Sequence, residues 1–279
     1  VGLRLAAKIL GWPFQWLGYK GDPAMPPVTR ALTALGPAYI KFGQILSTRP
    51  DVVGDELAVQ LRVLQDKLPP FPIEEAQKMI EAELERPLAS MFQDFSAPVA
   101  AASIAQVHRA KLASDGADVA VKVLRPGIER AFRRDIDAFY FAARMVEVLA
   151  PGARRLRPLD VIAHFEGVVL GELDLRLESS AAGEFAANTE SAEGFQLPQI
   201  NWSLSGKNFM TMDWAEGISA GDNAALDAVG HDRRQISERI LQLFLSHALR
   251  DGFFHADLLA TEQIFDRVEA GGTQHLQSL

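Results

Sequence analysis

Three short stretches carry side chains that could do chemistry. The sharpest is Val119-Ala120-Val121-Lys122, an apolar run ending in a lysine. It matches the V-A-I-K-type strand element that presents a cation to nucleotide phosphates. Such a lysine must be held by a carboxylate so that its ammonium does not wander. Taken alone the string is unspecific, because apolar strands ending in a surface lysine are common. A second stretch, with Glu172, Asp174 and Glu178, could supply the carboxylate. On one continuous helix Asp174 and Glu178 share a face, and Glu172 sits two positions off it. Two readings of that acidic face stand side by side: a solvated surface, or a partner for Lys122. The third stretch is Gly252-Phe253-Phe254-His255-Ala256-Asp257, directly after an apolar helix. Asp257 is placed to accept a proton or orient a nucleophile, and His255 reads as a structural core histidine.

A phosphate site also needs backbone N–H groups, usually from a glycine-rich turn. The corresponding stretch here runs from Pro98 to His108 and holds Ala100, Ala101, Ala102 and Ser103 instead of glycines. An added Cβ restricts close backbone approach and makes left-handed conformations costly. Nucleotide would therefore be held differently than on a glycine-rich loop. The plain alternative is a small-residue packing strand.

These residues need a scaffold, and the patterning supplies one. Val1 to Leu17 reads as a helix packing Trp12, Phe14 and Trp16 on its own domain, with an amphipathic interfacial segment as the alternative. A Gly/Pro-rich linker spans 18–27, and a helix over 28–46 is bent or interrupted at Gly36-Pro37. Two amphipathic helices follow, over 54–68 and 72–85, separated by Pro69-Pro70-Phe71-Pro72. Strand-like runs over 103–112 and 118–124, joined at Asp115-Gly116, form a β-hairpin. Helices are expected over 128–149 and 158–188, and two strands over 195–200 and 208–213. A helix over 233–249 should turn Ile236, Ile240, Leu243, Phe244 and Leu249 inward. The order predicts an α+β fold, without the regular alternation of a doubly wound sheet.

Composition narrows the function classes. The 279 residues are 48% apolar and 23% charged, a globular mix. Lysine and arginine number 28 against 36 acidic residues, for a net charge of -8. That balance argues against nucleic acid as a partner, since phosphate backbones need a basic footprint. With no cysteine, disulfides, thiolate nucleophiles and zinc–thiolate sites are excluded. No run approaches the roughly 18 apolar residues of a spanning helix. Neither a signal-peptide core with its cleavage site nor an initiating Met is present, the chain beginning at Val1 as a fragment would.

In combination the motifs resemble the UbiB-type atypical kinase-like family, whose members support ubiquinone biosynthesis. Lys41-Phe42-Gly43-Gln44 resembles its K-x-G-Q signature, continued by Ser47, Arg49 and Asp51. Leu64-Gln65-Asp66 and Pro69-Pro70-Phe71 match the next block, and Ala100 to His108 looks like its alanine-rich loop. Glu172-Leu173-Asp174 resembles the E-x-D motif, and Glu178 the glutamate that pairs with the strand lysine, here Lys122. Met212-Asp213-Trp214-Ala215-Glu216-Gly217 resembles the hinge between lobes. The resemblance covers roughly 31–257.

The resemblance implies a protein-kinase-like fold with an N-terminal helical extension over 1–93. A kinase-like N-lobe with inserted helices and hinge would follow over 94–216, then the start of an incomplete C-lobe over 217–258. It implies ATP and Mg²⁺ as cofactors, with Ala100 to Ser103, Lys122, Glu178 and Met212 to Ala215 at the nucleotide and Lys122 and Asp257 in catalysis. Lys41, Gly43, Gln44, Glu172 and Asp174 would regulate access, the K-x-G-Q helix lying where a protein substrate would dock. Small-molecule or lipid phosphorylation, or ATP hydrolysis, is then favoured over protein phosphorylation. The partners implied are isoprenoid or quinone-type lipids and ubiquinone-biosynthesis proteins. The location implied is cytoplasmic, or peripheral at the inner face of a membrane. The family's other naming, polyprenylphenol hydroxylase, finds no flavin or iron motif here.

The match stops inside a motif. Where the family continues with His-Pro-Gly-Asn and later Asp-Phe-Gly, this chain reads Leu258-Leu259-Ala260-Thr261-Glu262-Gln263-Ile264-Phe265. The metal-binding asparagine and aspartate have no counterpart, so no intact metal site is expected. A frameshifted or otherwise aberrant tail over 259–279 on a truncated member accounts for this, and predicts weak turnover. The alternative to an ATP-dependent enzyme is a catalytically inactive nucleotide-binding or interaction module.

Overall fold

The computed structural model describes residues 25–65, 69–189, 197–218 and 222–252. The expected aromatic-bearing helix over 1–17, His255, Asp257 and the tail over 259–279 lie outside the described residues.

Helices come first. They are α1 (Pro27–Leu35), α2 (Pro37–Ser47), α3 (Pro50–Val53), α4 (Asp55–Arg62) and α5 (Ile73–Leu84). The interruption expected at Gly36-Pro37 separates α1 from α2, because a proline cannot donate into the preceding turn. Leu61 and Leu64 are buried against Ile40 of α2, with Leu32 and Leu57 packed beside them. The spacing of three and four that marked α4 thus becomes its contact face.

Five antiparallel strands follow: β1 (Phe92–Gln93), β2 (Pro98–Ala101), β3 (Ala105–Leu112), β4 (Asp118–Leu124) and, later in the chain, β5 (Phe209–Asp213). The path is β1-β3-β4-β5, and β2 also pairs with β3. The hairpin expected at Asp115-Gly116 is present; Gly116 takes a φ of 75°, a conformation glycine adopts without steric cost. Two strands escaped the pattern. β1 is two residues long, and β2 is alanine-rich. The strand expected over 195–200 is reduced, in its described part, to a single bridge from Ile200 to Met212. The chain there turns at once into a short helical turn at Trp202–Leu204.

Helices α6 (Ile128–Leu149), α7 (Pro158–Glu172) and α8 (Leu175–Thr189) are inserted between β4 and β5. The single helix expected over 158–188 is in fact two. Leu173 closes α7 by donating to the carbonyls of Val169 and Gly171. Asp174 then accepts the Arg176 amide at 3.1 Å and starts α8, as aspartate does at helix starts.

Period-two alternation gives the sheet two apolar faces. Val119, Val121 and Val123 pack with Ala76 and Ile80 of α5, Phe92 and Phe209. On the other face Ala105, Leu124, Met210 and Met212 meet Ala38 of α2, Phe132, Ile136 and Phe139 of α6, and Phe165 and Val169 of α7. Burying one such side chain fully is worth about 1.5–3 kcal/mol, so this layer holds the inserted helices in place. Lys122, between Val121 and Val123, points to this second face.

Helices α9 (Asn223–Ala228) and α10 (Arg233–Ser246) end the described chain, with a wide helical turn over His247–Asp251. None of the five residues expected to face inward here is buried. Ile240 and Leu249 are exposed, and Ile236, Leu243 and Phe244 are half-buried. Periodicity sets which side chains share a stripe; burial requires an element laid against that stripe. No described helix is long and apolar enough to cross a membrane.

Candidate functional site

Lys122 lies at the centre of β4, opposite Val107 of β3 and Met210 of β5. Its Nζ donates to both carboxylate oxygens of Glu178 on α8, at 2.6 and 2.8 Å. Both side chains are mostly covered, 21% and 32% exposed, so the attraction is less screened than at an open surface. An ammonium has three donors. Two are engaged by Glu178, which leaves one for an incoming acceptor.

The helix break decides which carboxylate reaches which lysine. Glu172, at the end of α7, pairs with Lys41 of α2 at 2.6 Å. Asp174 turns back to Arg176 at 2.6 Å, and these hydrogen bonds hold its carboxyl below the usual range. Of the three acidic residues read as one cluster, only Glu178 meets Lys122.

Helix α2 is seated beside this pair. Phe42 packs its ring on Phe139 and Phe165, at centroid distances of 5.0 and 5.2 Å. Gly43 marks the closest approach: a Cβ there would overlap a Leu64 methyl and stand 3.0 Å from one of Leu32. Gln44 donates to the Leu64 carbonyl at 2.8 Å, and its Oε1 lies 3.5 Å from Ser103 Oγ. That last contact joins α2 to the alanine-rich segment.

The segment is a tight hairpin. Ala100 and Ala101 lie on β2, opposite Val107 and Gln106. Ser103 and Ile104 form the turn, which the Ala102 amide closes on the Ala105 carbonyl at 2.8 Å. No residue from Pro98 to Ala105 has a positive φ, so alanine is accommodated without strain.

Beyond the pair, Met212 sits opposite Ala120, on the same face as Lys122. Asp213 accepts the Gln199 amide at 3.1 Å, and the Trp214 amide donates to the Asp118 carbonyl. Arg109 stacks on the Trp214 ring at 4.7 Å and bonds Asp118 and Glu216. Ala215, between them, is exposed. A cavity of about 410 Å³ between α8 and residues 198–202 is lined by none of the sequence-predicted residues. Among the described residues no three His, Asp or Glu side chains converge as a metal would require.

Four side chains had no role assigned from the sequence. Gln106 is fully buried and exchanges two hydrogen bonds with the Phe71 backbone, at 3.0 and 3.3 Å. Its amide also lies 3.0 Å from His108 Nε2. His108 Nδ1 faces the Ser96 carbonyl at 2.8 Å and so carries the proton; burial lowers the ring's proton affinity. Arg125 bonds the carbonyls of Ala102 and Pro69. Glu83 gathers the amides of Lys207 and Asn208, tying α5 to the turn before β5. Gln106 alone left a trace in the sequence: a polar residue inside an otherwise apolar strand.

Comparison with known proteins gives a consistent picture. Residues 63–265 match the model of the ABC1 atypical kinase-like domain. A protein of Marinobacter nauticus named "Probable protein kinase UbiB" is 41% identical over 229 residues, 82% of this chain and 42% of its own length. Its namesake in Shewanella baltica is 42% identical over 241 residues, 86% of this chain and 44% of its own length. The Vibrio cholerae protein of that name is 42% identical over 229 residues. The chain therefore spans less than half the length of these relatives.

Proposed function

The chain belongs to the ABC1 atypical kinase-like family and is of the UbiB type, with an α+β kinase-like fold, and from that premise we propose that it binds ATP through Lys122. The observation that carries this reading is the two-pronged Lys122–Glu178 pair. Glu178 fixes the ammonium while leaving one N–H for a phosphate oxygen, and the adjoining turn contributes backbone amides. Met212 to Ala215, on the strand edge next to Ala120, would border the base.

The chemistry favoured is ATP hydrolysis or phosphorylation of a small or lipid substrate. Helix α2 supports this. It packs on the sheet face that carries Lys122 and is tied there by Lys41–Glu172 and the Phe42 contacts, which narrows the approach for a folded protein substrate. Mg²⁺ would neutralise phosphate charge in such a site. Among the described residues no cluster of three acidic or histidine side chains stands ready to hold it. By its family resemblance the protein would act in ubiquinone biosynthesis, alongside isoprenoid or quinone-type lipids and the proteins that process them, at the inner face of a membrane.

A second reading, nucleotide binding without turnover, is favoured by the sequence after Asp257, where Glu262 or Gln263 stands in the place of the family's metal-binding asparagine. Calorimetric titration with Mg²⁺-ATP, together with a phosphate-release assay, separates the two for the wild type and Lys122→Ala. Binding and hydrolysis that both vanish in the variant support an enzyme. Binding without hydrolysis supports the second reading. A wild-type protein that does neither sinks both.

A further inference from the structure

The alanine-rich turn is gripped from behind. Arg125, just past the end of β4, sends Nε and Nη2 to the Ala102 carbonyl, at 3.2 and 3.0 Å. The same Nη2 reaches the Pro69 carbonyl at 2.8 Å, and the guanidinium lies 5.7 Å from the centre of the Phe71 ring. Its backbone amide donates to the Ile104 carbonyl at 2.8 Å. One residue thus holds carbonyls on both sides of Ser103.

The consequence follows from peptide geometry. The Ala102 C=O and the Ser103 N–H belong to one planar trans unit and point in opposite directions. Fixing the carbonyl toward Arg125 therefore aims the Ser103 amide away from it. Among the described residues neither the Ser103 nor the Ile104 amide has an acceptor. Both are unused donors at the tip of a short turn, the arrangement that receives anionic oxygens. A glycine-rich turn can reorient its peptides at little cost; this one has its orientation imposed by a side chain from another strand's end.

We propose that Arg125 is a positioning residue for nucleotide binding, which locks the Ala102–Ser103 peptide so that the Ser103 amide faces the phosphates. The inference rests on the nucleotide-binding reading of Lys122 for its ligand, though not for the grip itself. Charge-assisted bonds to a carbonyl are stronger than neutral ones, and the guanidinium spans two carbonyls in a fixed plane. Lysine at this position would lack the Nε bond to Ala102 and the fixed plane that sets the direction of the grip.

The test uses the full chain with Arg125→Ala and Arg125→Lys. Mg²⁺-ADP titration gives affinity, and backbone exchange in the absence of nucleotide reads protection of the Ala102 amide, which closes the turn. Affinity is expected to fall about tenfold in the alanine variant and less in the lysine variant. Exchange at Ala102 should be faster in the same order, with the exchange of sheet amides in β4 unchanged. Wild-type affinity in a folded Arg125→Ala protein overturns the proposal. If the wild type binds no nucleotide, the reading of Lys122 fails by itself. The exchange measurement then decides on the grip, and unchanged protection at Ala102 overturns it. Should Arg125→Ala not fold, Arg125→Gln takes its place under the same two criteria.

Discussion

Glu172 and Glu178 stand six positions apart and serve two different lysines. Glu172 closes on Lys41 of α2 and Glu178 on Lys122 of β4, both at 2.6 Å. The break at Leu173-Asp174 makes this possible by ending one helix and starting another between them. The break joins the N-terminal helices to the sheet through a single short segment.

Replacing Glu178 by Gln keeps the side chain's shape and removes its charge. Nucleotide affinity is expected to fall about tenfold, since the lysine loses its two-pronged anchor. Stability should drop by only about 1 kcal/mol, as partly exposed pairs contribute little. Titration and thermal melts of the same preparation check both. A large loss of stability with unchanged affinity would reduce the pair to a purely structural role.

Gly43→Ala is expected to destabilise the protein by about 1–3 kcal/mol, because the new methyl meets Leu64 and Leu32. Leu64→Ala removes the main obstacle at its own cost. The double variant should lose clearly less than the sum of the two single losses, a coupling that urea unfolding measures directly. Strict additivity would mean that the helices move apart freely.

His108 sets a pH dependence with a definite sign. Burial lowers its pKa in the folded protein, whereas the unfolded chain titrates near the ordinary value of about 6.5. The unfolded state therefore binds more protons as pH falls below that value, and stability declines. Melting temperature should be level above pH 7 and fall toward pH 5, with a flatter profile in His108→Gln. The carboxyls of Asp118, Glu129 and Asp174, lowered chiefly by hydrogen bonds to Arg109, Lys207 and Arg176 respectively, lose their contribution only at more acidic pH. Melts kept above pH 5 isolate the histidine.

Asp174→Ala removes the cap of α8 and is expected to cost about 1 kcal/mol. Asp174→Asn keeps an oxygen for the Arg176 amide and should cost much less. Urea unfolding distinguishes the two variants, and equal losses would show that the ion pair to Arg176, rather than the cap, holds the helix start.

The local punctuation was readable from the chain. Gly36-Pro37 divides two helices, Asp115-Gly116 turns a hairpin, and alternation places Lys122 opposite Val121 in facing. The break at Leu173-Asp174 was not, because it contains neither proline nor glycine and sits in an unbroken helical pattern. An aspartate in such a run serves equally as a solvated surface residue or as a cap. β1 and β2 were too short to show a period. Arg125, Gln106 and Glu83 bond backbone groups 23 to 125 positions away, a kind of contact that no local pattern encodes. The stripe of α10 was legible as a stripe, while its burial depended on what lies against it.

The alternation along β4 also guards against misassembly. A slip of one residue in the pairing would turn every side chain of the strand to the other face. Val119, Val121 and Val123 would leave the apolar layer under α5, and Lys122 would be driven into it without Glu178. An unpaired ammonium in such a layer costs several kcal/mol. The lysine that marks the candidate site is thus also a proofreading device for the sheet, making the wrong alignment far less stable than the native one.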